Sequence, residues 1–183
     1  MTGALEAGAG FLQHPGVEYW RRTNPVTHTY LPLDNSFNRI FKRVMDVLFS
    51  LFVIIFVLSW FIPLAAIIIK TGSAGPVFFR QKRIKRNGKV FTCIKFRTML
   101  VNEEADWLPA AKNDRRITHT GKFFREYFLD ELPQFFNVLT GDMSIVGPRP
   151  HMLEDEKKFQ SIADHYTLRN KVKPGIRLPV PDR

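Results

Sequence analysis

Between Val47 and Ile69 the chain runs for 23 residues without a charge, and 17 of these are Leu, Ile, Phe or Val. At roughly −0.3 to −0.6 kcal/mol each on an insertion scale, such residues contribute about −5 to −10 kcal/mol toward a bilayer, and a proline penalty of ~3 kcal/mol does not reverse the sign. The segment therefore belongs in a membrane. Whether it crosses one is a separate question. Arg39, Lys42 and Arg43 precede it, and Lys70, Arg80, Lys82 and Arg83 follow it, so the positive-inside rule keeps both flanks in the cytoplasm. Pro63 removes a backbone donor within the run, and Ser59 one turn earlier can satisfy freed carbonyls. A helix that enters, bends and returns fits these facts; a spanning helix with a tolerated proline is the alternative.

The remaining composition narrows the class. A chain of 183 residues that is 45% hydrophobic can form one domain with a real core. The formal net charge of +10 calls for an acidic partner: anionic lipid, a phosphorylated substrate or nucleic acid. Nine basic residues and no acids lie between Lys70 and Arg97. Beside a hydrophobic anchor this cluster reads as attraction to anionic membrane lipids or as a phosphate-binding face, and the anchor argues against nucleic acid. The single cysteine, Cys93, excludes an internal disulfide, and the five histidines show no metal-ligand spacing. The first 35 residues lack a signal peptide's apolar core and read as a poorly ordered leader or linker.

Within the basic cluster, Val77–Lys82 and Lys89–Phe96 read as two strands around the Asn87-Gly88 turn signal. From Gly121 to Phe128, Phe123, Phe124, Tyr127 and Phe128 share a helical face that suits either a core or a headgroup layer. A further helix is expected from about His151 to His165.

The stretch Leu129–Pro150, LDELPQFFNVLTGDMSIVGPRP, carries the candidate chemistry. Asp130 is a good helix N-cap and Pro133 is tolerated in a first turn, so a helix is expected from near Asp130 to about Leu139. Both acids would then sit at the positive end of the helix dipole, which favours ionised carboxylates and attracts phosphate. An ionised Asp130 could attack phosphorus while Glu131 holds a hard cation. Equally, the pair could be no more than a cap and a first-turn acid.

Six motifs in one order break that tie. They are the basic residues before a proline-broken hydrophobic helix, GPVFFRQKR, KFRTM at Lys95–Met99, NDRRIT at Asn113–Thr118, the stretch above, and KVKPGI at Lys171–Ile176. In these the chain resembles the bacterial sugar transferases, small monotopic phosphoglycosyl transferases that prime glycan assembly on a polyprenol carrier; the resemblance covers residues 36 to 176. It implies an α+β, mainly helical fold with a re-entrant membrane helix, a β-hairpin and amphipathic helices at the membrane surface. By the same resemblance, Asp130 attacks the β-phosphate of a UDP-sugar, releasing UMP, and undecaprenyl phosphate then takes the phosphosugar at the cytoplasmic face of the bacterial inner membrane. Glu131 would bind Mg²⁺. Lys95 and Arg97 in KFRTM and Pro148, Arg149 and Pro150 in GPRP fall at the substrate, the two guanidiniums offering bidentate forks to phosphate. A purely structural use of these residues remains the alternative, with Arg97 on a local acid and the prolines stiffening a turn.

Three features depart from the family pattern. Ser59 is followed by Trp60 and the proline comes only at 63, which places the kink about one turn later. A short leader stands where longer members carry an upstream domain. After Ile176 the chain changes to a non-family-like tail at residues 177 to 183, from which a truncated C-terminus is expected. An impaired remnant and a basic membrane-tethered binding protein are accordingly the competing functions.

Overall fold

The structure, a computed structural model, describes residues 35–101, 110–111, 114–153 and 172–176. The expected leader at 1–34, most of the expected helix after His151 and the tail at 177–183 lie outside the described residues. The chain clusters into two compact units, residues 1–40 and 41–183. The described part of the first is the opening of helix α1 (Ser36–Val53), where the Arg39 guanidinium donates to Ser36 Oγ at 2.9 Å.

The apolar run is helical throughout. It comprises the rest of α1, a π-helical segment at Ile54–Leu58 and helix α2 (Ser59–Gly72), a stretch long and apolar enough to cross a membrane by length and composition. A register break falls at Ile54–Leu58, ahead of Pro63. There the Ser59 N–H reaches back to the Ile54 carbonyl. Ser59 Oγ donates to the Ile55 carbonyl at 2.6 Å, and the Trp60 indole donates to the Phe56 carbonyl at 2.9 Å. These two side chains serve carbonyls of the irregular turn, so Ser59 works upstream of the proline and not for it.

Strands β1 (Phe78–Ile84) and β2 (Val90–Phe96) pair antiparallel from Phe78 opposite Phe96 to Ile84 opposite Val90. The hairpin is close to where the sequence places it: both strands begin one residue later than expected, and β1 ends two residues later. Asn87 and Gly88 both take positive φ, 64° and 70°, which the asparagine tolerates and the glycine adopts without strain. Helix α3 (His119–Glu126) begins at Thr118, whose Oγ1 accepts from the Gly121 N–H. A short 3₁₀ turn at Leu129–Glu131 and helix α4 (Gln134–Thr140) complete the described elements.

Packing follows from which faces are apolar. Ala65 and Ile69 of α2, Phe96 of β2 and Phe124 of α3 form one buried cluster, and Val53, Leu58 and Phe135 form a second. Phe91 and Cys93 of β2 meet Val138 and Met143 in a third. Asn137 pins α4 to β2 like an extra strand, since its Oδ1 accepts from the Ile94 N–H at 2.9 Å and its Nδ2 donates to the Thr92 carbonyl at 2.8 Å. Polar contacts hold α1 to the same body. The Arg43 guanidinium donates to the Val138 and Leu139 carbonyls, supplying a cation at the carboxyl end of α4. The buried Asp46 accepts from Ser144 Oγ and the Ile145 N–H, both at 3.1 Å.

Candidate active site

The sequence that turns from α3 into the acidic pair fixes the site's geometry. Phe128 adopts φ 55°, an uncommon conformation for a bulky residue, and reverses the chain after α3. Hydrogen bonds from the Glu131 N–H to the Phe128 carbonyl and from the Leu132 N–H to the Leu129 carbonyl then close the 3₁₀ turn. Asp130 is therefore not the helix cap expected from its residue type. Pro133 occupies that position with no side-chain cap, and α4 starts at Gln134. The acids sit one tight turn ahead of the α-helix, both buried.

That turn borders a cavity of about 520 Å³ lined by Asp130, Glu131, Lys95, Arg97, Arg125 and Arg149 among others. Lys95 Nζ contacts Glu131 Oε1 at 2.6 Å, whereas Glu131 Oε2 is buried with no hydrogen-bond partner. Burial pushes the Asp130 carboxyl above the ordinary carboxylate range; Lys95 and Arg125 pull it partly back, and Glu131 adds to the rise.

Four of the residues expected at the site thus converge with Asp130 on one cavity: Glu131, Lys95, Arg97 and Arg149. Arg97, however, has a different task from the phosphate fork expected of it. Its two terminal nitrogens donate to the Ser73 and Ala74 carbonyls, binding the exit of α2 to the end of β2, and its side chain is buried. Among the described residues it pairs with no acid. Pro148 lies outside the cavity lining, and its carbonyl accepts from the Gly175 N–H at 2.9 Å. Pro150 lines only a small adjoining recess, and its carbonyl accepts from Arg83.

Two motifs show their use only in three dimensions. KPGI and GPRP interlock: the Ser144 N–H donates to the Pro174 carbonyl and the Ile176 N–H to the Ser144 carbonyl, while a side chain on Gly147 or Gly175 would collide with the other segment's backbone. In NDRRIT, Asp114 accepts from the Arg116 backbone and guanidinium, which hold its carboxyl well below the usual range. The turn so formed bridges Met99 to Ile117 and supports KFRTM.

Sequence reasoning missed Arg125. Lying on the polar side of an amphipathic helix it reads as solvated, yet its Nε donates to Thr98 Oγ1 at 2.9 Å and it faces the cavity.

Magnesium fits this donor set in one respect: an orphaned carboxylate oxygen lies in a polar cavity, and Mg²⁺ commonly takes one or two carboxylates with water and substrate phosphate completing its shell. Among the described residues there is no cluster of three or more acidic, histidine or cysteine ligands.

Residues 37–178 match the family model for "Bacterial sugar transferase". Similar curated proteins include a UDP-glucose:undecaprenyl-phosphate glucose-1-phosphate transferase of Klebsiella pneumoniae, 48% identical over 143 residues, covering 78% of this chain and 30% of the relative. A protein of the same name from Escherichia coli K12 is 42% identical over 153 residues, covering 83% and 33%. A putative undecaprenyl-phosphate N-acetylgalactosaminyl 1-phosphate transferase of Bacillus subtilis is 41% identical over 131 residues, covering 70% and 72%. The chain thus spans about a third of the first two relatives and most of the third.

Proposed function

This chain belongs to the bacterial sugar transferase family, and from that premise we propose that it transfers a sugar 1-phosphate from a UDP-sugar to undecaprenyl phosphate at the cytoplasmic face of a membrane. The observation that carries the reading is the meeting of a buried carboxylate pair with Lys95 and Arg149 in one cavity. Such a site offers a nucleophile and fixed positive charge for a diphosphate.

In the first step an Asp130 carboxylate oxygen attacks the β-phosphorus of the UDP-sugar. The bond from that phosphorus to the bridging oxygen breaks, its electron pair leaves with UMP, and the phosphosugar is held on Asp130. In the second step a phosphate oxygen of the lipid attacks the same phosphorus, the bond to Asp130 breaks, and the carboxylate is regenerated with a diphosphate-linked lipid. Lys95 orients Glu131 through Oε1 and places positive charge beside Asp130. Glu131 Oε2 would hold Mg²⁺, which when bound neutralises charge on the diphosphate.

The membrane reading is supported by where the apolar helix surface lies. Val44, Leu48, Phe52, Phe56 and Trp60 are exposed, while both flanks of the run make polar contacts to the body that contains the site. A body with buried carboxylates and a cationic cavity cannot enter hydrocarbon at tolerable cost. Both flanks therefore stay on its side, and the helix is re-entrant with Ile54–Leu58 as its bend.

The test is UMP release from UDP-glucose and from UDP-N-acetylgalactosamine with Mg²⁺, followed by denaturation to trap labelled phosphosugar on the protein. Wild type is expected to release UMP and retain label, and Asp130→Asn to do neither while still sedimenting with membranes. Sustained turnover by Asp130→Asn would rule out the covalent route.

A further inference from the structure

The cavity has two kinds of wall, and the end nearer the membrane helix carries a cation with no assigned role. Helix α3 lies antiparallel to α2. Thr120, near its start, sits 3.2 Å from where a side chain on Gly72 would begin, and Phe124, near its end, meets Phe61 with ring centroids 6.2 Å apart. The carboxyl end of α3 thus lies level with the middle of the apolar run, where Trp60 and Leu64 are exposed. Phe123 and Tyr127 continue that exposed apolar surface, their rings 4.7 Å apart, and Phe128 carries it to the cavity rim.

Arg125 lines the same cavity as Phe128 and Asp130. Thr98 Oγ1 holds its Nε at 2.9 Å and Met99 Sδ contacts Nη2 at 3.5 Å, which fixes the plane of the guanidinium. Among the described residues Nη1 has no partner. The Asp130 carboxylate is the strongest charge acting on this guanidinium, after the burial that lowers it from its ordinary value. Its anchoring groups are a neutral hydroxyl and a thioether, and among the described residues Asp130 and, after it, Asp114 are the anions that act on it.

The geometry points to Arg125 as the residue that receives the phosphate of the lipid acceptor, entering past Phe128, whereas the donor diphosphate uses the Lys95 and Arg149 side. The inference rests on the transfer reaction above and assigns its second step. A polyprenyl phosphate has its charge at the headgroup boundary and its chain in hydrocarbon, and the rim offers the matching order of exposed aromatic surface, then guanidinium, then Asp130. A phosphate held on Nη1 has an oxygen free to attack the phosphorus on Asp130. The aspartyl oxygen then leaves on the far side, and no proton has to move.

The two half-reactions separate this role from a structural one. Exchange of labelled UMP into UDP-glucose or UDP-N-acetylgalactosamine, whichever wild type uses, reports the first step without acceptor. Transfer to undecaprenyl phosphate in detergent micelles reports both. Arg125→Ala is expected to raise KM for undecaprenyl phosphate roughly ten- to hundredfold, the range for losing a hydrogen bond to a charged group, while UMP exchange falls less than about threefold. Arg125→Lys, which keeps a charge beside Asp130 but not the fork, is expected to fall between the two in acceptor KM. Equal loss of exchange and transfer in both variants would overturn the assignment, as would an unchanged acceptor KM. A wild-type chain without UMP exchange would instead overturn the transfer reading itself.

Discussion

Asp130 shows how the site trades stability for chemistry. Its carboxyl is raised above the ordinary value, chiefly by burial, so between the unfolded value of about 3.9 and the folded value the native state binds more protons than the unfolded chain. Stability contributed by this group is therefore present at low pH and lost as pH rises through that window, and at neutral pH the ionised side chain costs the fold. Asp130→Asn is accordingly expected to raise Tm by a few degrees at pH 7.5 and to have no such effect at pH 4, measured by thermal unfolding in detergent. The same shift sets the acid limb of UMP release above the ordinary aspartate range. Glu131→Gln should do the reverse for the fold, leaving Lys95 facing a neutral amide in place of the carboxylate at 2.6 Å, while demanding more Mg²⁺ for residual turnover. At this scale residue type guided the reading well where chemistry is local and poorly where it is not. Asp130, Glu131, Lys95 and Arg149 reach the cavity as their motifs imply. Arg97 and Arg125 both line the cavity and could not be told apart beforehand, because only the packing of α2 and α3 decides which guanidinium is held by backbone carbonyls and which by the Thr98 hydroxyl.

Among elements, the hairpin was legible because its signals are short-range: alternating residues and an Asn-Gly turn that tolerates positive φ. The 3₁₀ turn was not, since Asp130 has the same cap propensity whether the next turn closes on the third or the fourth residue, and Phe128 at φ 55° carries no sequence mark. The π-helical register at Ile54–Leu58 was hidden likewise, in a run where every residue suits an α-helix. What holds the acidic turn in place is α4 on β2, and Asn137 makes both hydrogen bonds of that joint. Asn137→Ala should destabilise the fold by about 1–2 kcal/mol, since the partly buried hydrogen bonds to the Ile94 N–H and the Thr92 carbonyl are both lost. Asn137→Leu, which fills the volume without the bonds, should be no better. Gly175→Ala should be worse than either, because the new methyl meets the Gly147 backbone and neither segment can yield without opening the joint between KPGI and GPRP. Denaturation midpoints of the three variants give the order.

For the second unit as a whole, the membrane helix is clamped twice to one body. Upstream, Arg43 holds the Val138 and Leu139 carbonyls and Asp46 holds Ser144 and Ile145; downstream, Arg97 holds the Ser73 and Ala74 carbonyls. A straight α-helix of 23 residues reaches roughly 35 Å, enough for a bilayer core of ~30 Å, so length alone permits crossing. Crossing would carry one clamp to the far side, leaving Asp46 or Arg97 without its partners. Each such loss of a buried charged group's contacts costs on the order of 3 kcal/mol, against which a straighter helix gains little. Pro63 sits downstream of the π-helical segment, the bend in the proposed re-entrant reading, so on that reading Pro63→Leu alone is expected to leave the topology unchanged. Single cysteines at Ser36 and Ser73 in a Cys93→Ser background should both resist a membrane-impermeant thiol reagent in intact cells and both react after lysis. Replacing Arg43 and Asp46 together with alanine removes the upstream clamp and one of the charges that keep this flank inside. That variant should give partial labelling at Ser36→Cys in intact cells while Ser73→Cys stays protected. Full protection of both sites in the double variant would show that the flanking charges hold the topology without the clamp, and labelling of Ser36→Cys in the otherwise unaltered protein would show a spanning helix.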